Sequence, residues 1–118
     1  MALTFNAQAK NDIAAFVSSK LSDGWLEMYD GTLLLVRFHL PIAAFSARPE
    51  GGYRLAGEWS GAARNNGVAR RFVVTDRNAT WTVEGTVSGS GGAGDLQLAN
   101  TELTFGEHVN ITAFNIEL

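Results

Sequence analysis

Residues 25–40 read WLEMYDGTLLLVRFHL and contain two apolar-rich runs joined by Asp30-Gly31. An Asp-Gly pair accepts the positive φ angles of a type I′ turn, so this stretch predicts a β-hairpin with a two-residue loop. The loop sets the predicted register, which places two pairs of residues opposite each other: Tyr29 with Thr32 and Leu26 with Leu35. The stretch therefore predicts that the chain after Gly24 is built of strands.

The segment before the hairpin carries the helical signal of the chain. Apolar residues recur there at helical spacing: Ala9, Ile13, Phe16, Val17 and Leu21. Asn6 suits the N-cap and Asp23-Gly24 supplies the stop, which predicts a helix over residues 7–22. Since Lys10 and Lys20 are the basic groups of the polar face, we expect the apolar stripe to pack on the domain's own sheet rather than on a membrane.

The segment after the hairpin predicts a series of short strands. Six candidates are separated by turn-forming residues: Tyr53–Gly57, Val68–Thr75, Thr80–Val87, Asp95–Leu98, Glu102–Phe105 and His108–Leu118. The glycine-rich Ser88–Gly94 lies between strands of the same pattern, so we interpret it as a loop. The spacing predicts one mainly-β domain over residues 1–118, an antiparallel β-sandwich of the jelly-roll or immunoglobulin-like kind with one short N-terminal helix.

Hydrophobic alternation separates the two faces of the later strands. Trp81, Val83, Gly85 and Val87 share one phase, and the intervening residues are polar. The last strand changes phase after Ala113, because Val109 and Ile111 alternate in one register and Phe114 and Ile116 in the other. Either a β-bulge near Ala113 or burial of both faces by another subunit explains that change. The second explanation makes Phe114 and Ile116 candidate interface residues.

Composition excludes several classes of protein. The chain has 118 residues, 46% of them hydrophobic, which suffices for a single core. It has no cysteine, so disulfide frameworks, iron–sulfur clusters and thiol nucleophiles are excluded. No apolar run approaches the roughly 20 residues of a membrane helix. A secretory leader is also absent from the pattern, so we expect the protein to act where it is made or assembled, with no membrane partner.

Charge is unevenly distributed along the chain. The net charge is −3, but residues 46–77 hold six arginines against three acids, and residues 78–118 hold five acids and no basic group. An overall acidic chain argues against nucleic acid as a partner. The arginines pair across strands with the acidic C-terminal strands, or they dock other copies or a neighbouring protein. The candidate interface arginines are Arg64, Arg70, Arg71 and Arg77.

Residues with catalytic or ligand-binding patterns are scarce. Ser88–Gly94 lacks the Gly-Lys-Ser/Thr ending of a phosphate loop. His39 and His108 stand outside any metal-binding spacing, and no acid–base pair has a recognisable arrangement. We therefore expect no catalytic residue, no metal and no cofactor. Trp59, in Gly57-Glu58-Trp59-Ser60-Gly61, is the candidate for an exposed aromatic that could serve a carbohydrate-binding module.

The order of several motifs resembles small structural proteins of tailed bacteriophages and prophages. The resemblance rests on LEMYDGTLL from Leu26, PIAAF from Pro41, GVARRF from Gly67, VEGTV from Val83, and the C-terminal GDLQLANT and GEHVNIT. It covers roughly residues 10–118. Similar sequences usually carry a proline-rich insertion where Asp30-Gly31 closes the turn directly in this chain.

The resemblance implies a virion structural protein rather than an enzyme. We expect a head decoration, or cement, protein that binds the capsid lattice, with the major capsid protein as partner. The same chain is expected to form a homo-oligomer and to reside in the virion after assembly in the host cytoplasm. A tail or collar subunit, or a carbohydrate-binding module, is the alternative.

Overall fold

The computed structural model describes residues 4–48, 53–57 and 59–116. Within them lie one helix and eleven strands. Their bounds are α1 Ala7–Leu21, β1 Trp25–Asp30, β2 Leu33–His39, β3 Phe45–Ala47, β4 Tyr53–Leu55, β5 Ser60–Ala62, β6 Gly67–Val68, β7 Arg71–Thr75, β8 Thr82–Gly89, β9 Leu96–Leu98, β10 Glu102–Leu103 and β11 His108–Ile116.

The predicted mainly-β class with one N-terminal helix is confirmed. Hydrogen-bonded strands of the described residues follow the order β2-β1-β7-β8-β9-β11-β4-β3, and β5 also pairs with β11. β10 and β6 form a separate two-stranded pair. The sheet is mixed rather than wholly antiparallel, because β8 and β9 run parallel.

The β1–β2 hairpin forms, but its register differs from the prediction. Asp30 pairs with Leu33, so the two-residue loop is Gly31-Thr32. Gly31 has φ +61° at the first loop position, as a type II′ turn requires, whereas Asp30 stays in the strand. Asp30 is held there because its carboxylate accepts hydrogen bonds from Val68 N at 3.0 Å and from Arg70 Nε at 3.1 Å.

A bulge in β2 completes the correction of the register. Met28 pairs with Val36 and Tyr29 with Leu34, so Leu35 is the extra residue. Both Leu35 and Val36 are fully buried. Because side chains alternate along a regular strand, only the bulge lets two consecutive residues face the core.

The predicted glycine-rich loop makes the parallel β8–β9 pair possible. Parallel strands usually need a crossover of about a dozen residues, yet residues 90–95 alone connect β8 to β9. The chain curls tightly around Ser88, whose hydroxyl accepts a hydrogen bond from Gly94 N at 2.9 Å. A Cβ at Gly94 would lie 2.5 Å from Ser88 N, so this position requires glycine.

The helix and the last strand agree with the main sequence predictions. Asn6 caps α1 by accepting from Ala9 N at 2.8 Å, and Leu21 enters the core. Phe16 departs from the predicted stripe, because it is 52% exposed. The bulge predicted near Ala113 is confirmed, since the register of β11 shifts between Ile111 and Ala113.

The remaining strand predictions fail mainly at their boundaries. Two short strands, β3 and β5, were not predicted. The predicted Val68–Thr75 strand is split into β6 and β7, because Ala69 N donates to Thr101 O instead of continuing the sheet. Residues 117–118 of the predicted last strand lie outside the described part of the chain.

Candidate interaction surfaces

One side of the β2-β1-β7-β8 strands faces the core and the other faces outward. Leu26 and Met28 of β1 are fully buried, whereas the residues that alternate with them are partly exposed. We call the outward side the outer face. Its side chains are Trp25, Glu27, Tyr29, Arg37, His39, Arg71, Val73 and Glu84, and the strand register brings them into adjacent rows.

Trp25 occupies one end of the outer face and is crowded by two neighbours. The guanidinium carbon of Arg37 lies 4.1 Å from the centroid of the indole ring, and the His39 ring centroid lies 4.9 Å away. Arg37 Nε also lies 3.2 Å from Glu27 Oε2. These contacts order the arginine and cover part of the indole, so Trp25 is not an open stacking platform.

Tyr29 organises the other end of the outer face. The guanidinium carbon of Arg71 lies 4.2 Å from the centroid of the Tyr29 ring, and the Tyr29 hydroxyl donates to Glu27 Oε1 at 3.0 Å. Partial burial and this hydrogen bond raise the pKa of Tyr29 above its ordinary value of 10.0. Arg71 further donates to Gly31 O at 3.0 Å and lies 3.5 Å from Glu84.

The structure brings three of the four candidate interface arginines to the same end of the sheet. Arg70 pairs with Asp30, and Arg71 reaches Gly31, both beside the hairpin turn. Arg64 is close to them, because its backbone N donates to Leu35 O. Arg77 lies at the opposite end, 3.0 Å from Asp23 before β1.

One of the arginines pairs across strands with an acid of the C-terminal strands, as the sequence suggested. Arg71 pairs with Glu84 of β8. Arg37, Arg70 and Arg77 instead pair with carboxylates of residues 23–30.

The prediction that Trp59 is exposed is wrong. Its side chain is 4% exposed, and Nε1 donates to Ala44 O and Ala56 O at 3.1 and 3.0 Å. Its ring packs edge-on against Phe45 and Phe114. Trp59 is therefore a core residue, because Ala44 before β3 and Ala56 after β4 offer two carbonyl groups to the only polar atom of its side chain.

The interface interpretation of Phe114 is also wrong. Phe114 is 4% exposed and contacts the rings of Trp59 and Phe72 at centroid distances of 5.5 and 5.2 Å. The bulge in β11 turns it into the protein's own core. Ile116 pairs with Tyr53 through its backbone, and its side chain lies outside the described part of the structure.

The histidines do not form a joint site. His39 Nε2 lies 2.9 Å from both the carboxylate and the backbone oxygen of Asp23, whereas His108 begins β11 and is exposed. Within the described ranges, no group of three or more His, Cys, Asp or Glu side chains is arranged to hold a metal ion.

Trp25 and Tyr29 are the surface aromatics that sequence reasoning missed. The signal was present in the quoted hairpin, because Trp25, Glu27 and Tyr29 alternate with the apolar Leu26 and Met28. That alternation places both aromatics on the side away from the core.

Comparisons with protein-family models, with curated proteins and with solved structures found no match to this chain. In the described part of the chain, no helix combines the length and the apolar character needed to cross a membrane.

Proposed function

We propose that the protein is a structural subunit of a tailed-phage particle, a head decoration protein that binds the major capsid protein through the outer face. The ordered series of motifs that resembles phage and prophage proteins supports the assignment to a phage particle. The arginine–aromatic stacks of the outer face support the contact surface, and they are the observation that carries it.

The side chains of the outer face are ordered before any partner binds. Binding costs about 0.5–1.5 kcal/mol for each flexible side chain that becomes immobile. Arg37 and Arg71 are already restrained by a ring and a carboxylate each, so they lose less freedom on binding. Their unused N–H groups remain available to carbonyl or carboxylate oxygens of a partner, which suits the planar arginine fork.

The individual contacts of such a surface are weak. Exposed ion pairs contribute up to about 1 kcal/mol each. A subunit that touches several neighbours of a repeating shell gains avidity from many modest contacts. A lattice-binding role therefore needs neither a deep pocket nor a catalytic group, and we propose that the protein is not an enzyme.

The exposed aromatic expected of a carbohydrate-binding module is not provided by Trp59. Trp59 is buried, and Arg37 lies over the ring of Trp25. Stacking of a sugar on Trp25 would first require displacement of the guanidinium group. A tail or collar subunit would not need to displace Arg37 from Trp25, so the experiment below distinguishes that position from the head.

Mass spectrometry of density-purified virions, from a host in which the gene is expressed with its phage, tests the role. We expect the chain in many copies per particle, with immunogold labels on the heads. Labels on tails or collars would move the protein to the alternative position. Absence from purified particles would refute the structural role.

A further inference from the structure

Three turns meet at one end of the molecule, which we call the tip. They are the hairpin turn Gly31-Thr32, the loop of residues 63–67 and the turn of residues 104–107. Asn65 Nδ2 donates to Leu34 O at 2.8 Å, and Gly106 N donates to Ala63 O at 2.8 Å. These bonds fix the turns relative to one another.

The tip displays two large apolar side chains. Phe105 is 73% exposed and Leu33 is 45% exposed. Phe105 is held in place by its backbone, since its N–H donates to Asn66 Oδ1 at 2.8 Å and the following Gly106 has φ +84°. Because aromatics are enriched in protein interfaces, this fixed and exposed ring is a candidate contact residue.

A cleft of about 420 Å³ opens beside Phe105. Val68 and Leu103 contribute apolar wall, and Asn66, Glu102 and Glu107 contribute polar groups. The cleft has room for a phenyl side chain. The tip thus presents both a projecting ring and a recess.

Charges at the tip are self-complementary. Arg64 and Glu102 are exposed, and neither forms an ion pair within the described residues. Arg64 and Glu102 lie on either side of the hydrogen bond between Phe105 N and Asn66 Oδ1. Glu102 pairs with Val68, which follows Asn66 in the chain, whereas Arg64 precedes Asn66. A two-fold axis near Phe105 therefore places Arg64 of one copy opposite Glu102 of the other.

The opposite end of the molecule also carries an exposed apolar side chain, because Ile42 is 81% exposed. Asp23 at that end already has two partners, His39 and Arg77. Arg64 and Glu102 at the tip, by contrast, form no ion pair within the described residues.

We propose that two copies of this chain dock tip to tip about a two-fold axis. Phe105 of each copy enters the cleft of the other, and Arg64 pairs with Glu102 of the other copy. The inference goes beyond the proposed virion role and is independent of it, because the test uses only the purified chain.

Sedimentation velocity on the purified chain, over a range of about 1–100 µM, tests the docking. We expect a reversible dimer that Phe105→Ser weakens by about tenfold or more, as for a central interface aromatic. The matched control is Ile42→Ser, which removes an equally exposed apolar side chain at the other end and is expected to leave the dimer unchanged. A monomer at every concentration would overturn the proposal.

Charge reversal tests the geometry of the pair. Arg64→Glu and Glu102→Arg are each expected to weaken the dimer, and the double variant is expected to recover it. Circular dichroism checks that each variant folds. Failure of the double variant to recover would refute the Arg64–Glu102 pairing. Equal weakening by Ile42→Ser and Phe105→Ser would indicate head-to-tail contacts and refute the two-fold arrangement.

Discussion

The outer face and the core use their aromatic residues in different ways. In β2-β1-β7-β8, Trp25 and Tyr29 lie on the outer face, where arginines cover their rings. In the half built from β9, β11, β4 and β3, the rings of Phe45 and Phe114 pack with Trp59 in the core. Aromatic content alone therefore does not mark a binding surface. The neighbours of an aromatic ring determine whether the ring stabilises the core or orders side chains on the surface.

The core cluster should therefore dominate stability, and Phe114→Ala should have the largest effect. Phe114 contacts three other rings, so its truncation leaves a cavity at the junction of the two halves. We expect the free energy of unfolding to fall by about 3–5 kcal/mol, measured by urea denaturation. Ile42→Ala is the control, with an expected change below about 0.5 kcal/mol, because Ile42 is 81% exposed and lies outside the proposed dimer contact. Comparable losses in the two variants would contradict the comparison.

Trp59→Phe sharpens the same contrast with a smaller change. The variant keeps a ring in the cluster but removes the Nε1 donor, which leaves the carbonyls of Ala44 and Ala56 without it. Loss of a hydrogen bond to a buried group costs about 1–3 kcal/mol. Trp25→Phe on the outer face serves as control, because Trp25 Nε1 has no hydrogen bond recorded among the described residues. A greater loss from Trp25→Phe would show that the outer face, rather than the core, determines stability.

Acid denaturation tests a smaller effect, the contribution of the hydrogen-bonded carboxylate of Asp76 to the stability of the fold. Hydrogen bonds from Thr80 and from Trp81 N hold the pKa of Asp76 below its ordinary value of 3.8. A depressed folded-state pKa means that this stabilisation is present above pH 3.8 and is lost as the pH falls through the folded value. We expect Asp76→Asn to be less stable at pH 7 and to lose less stability on acidification than the parent. Parallel pH profiles would show that Asp76 does not contribute.

The sequence predicted the parts of the fold that depend on local pattern. Asn6 at the helix start, the strands of the first half and the bulge near Ala113 all follow from spacing or alternation. The hairpin register did not follow, because the carboxylate of Asp30 binds Val68 and Arg70, which are about 40 residues away. The parallel β8–β9 pair was not predicted for a different reason, because parallel strands usually need a longer connection than residues 90–95.

The candidate site was less predictable than the fold. The burial of Trp59 depends on the carbonyls of Ala44 and Ala56, which flank the β3–β4 pair, and no pattern around residue 59 indicates them. The arginines of residues 46–77 could be recognised as a group, but their separation into Arg70 and Arg71 at one end and Arg77 at the other depends on strand direction. The sequence of the β1–β2 hairpin did indicate the outer face, because Trp25 and Tyr29 alternate with the apolar Leu26 and Met28.

Binding to purified phage heads that lack this protein measures whether the outer face contacts the capsid. The variant Arg37→Gln/Arg71→Gln removes both stacked guanidinium groups of the outer face, and Arg54→Gln removes an exposed arginine from β4 as the control. At physiological salt, we expect about a tenfold or greater loss of head occupancy for the double variant, with unfolding free energy lowered by no more than about 2 kcal/mol. Arg54→Gln should bind like the parent. Full occupancy by the folded double variant would contradict the claim that the outer face is the contact surface.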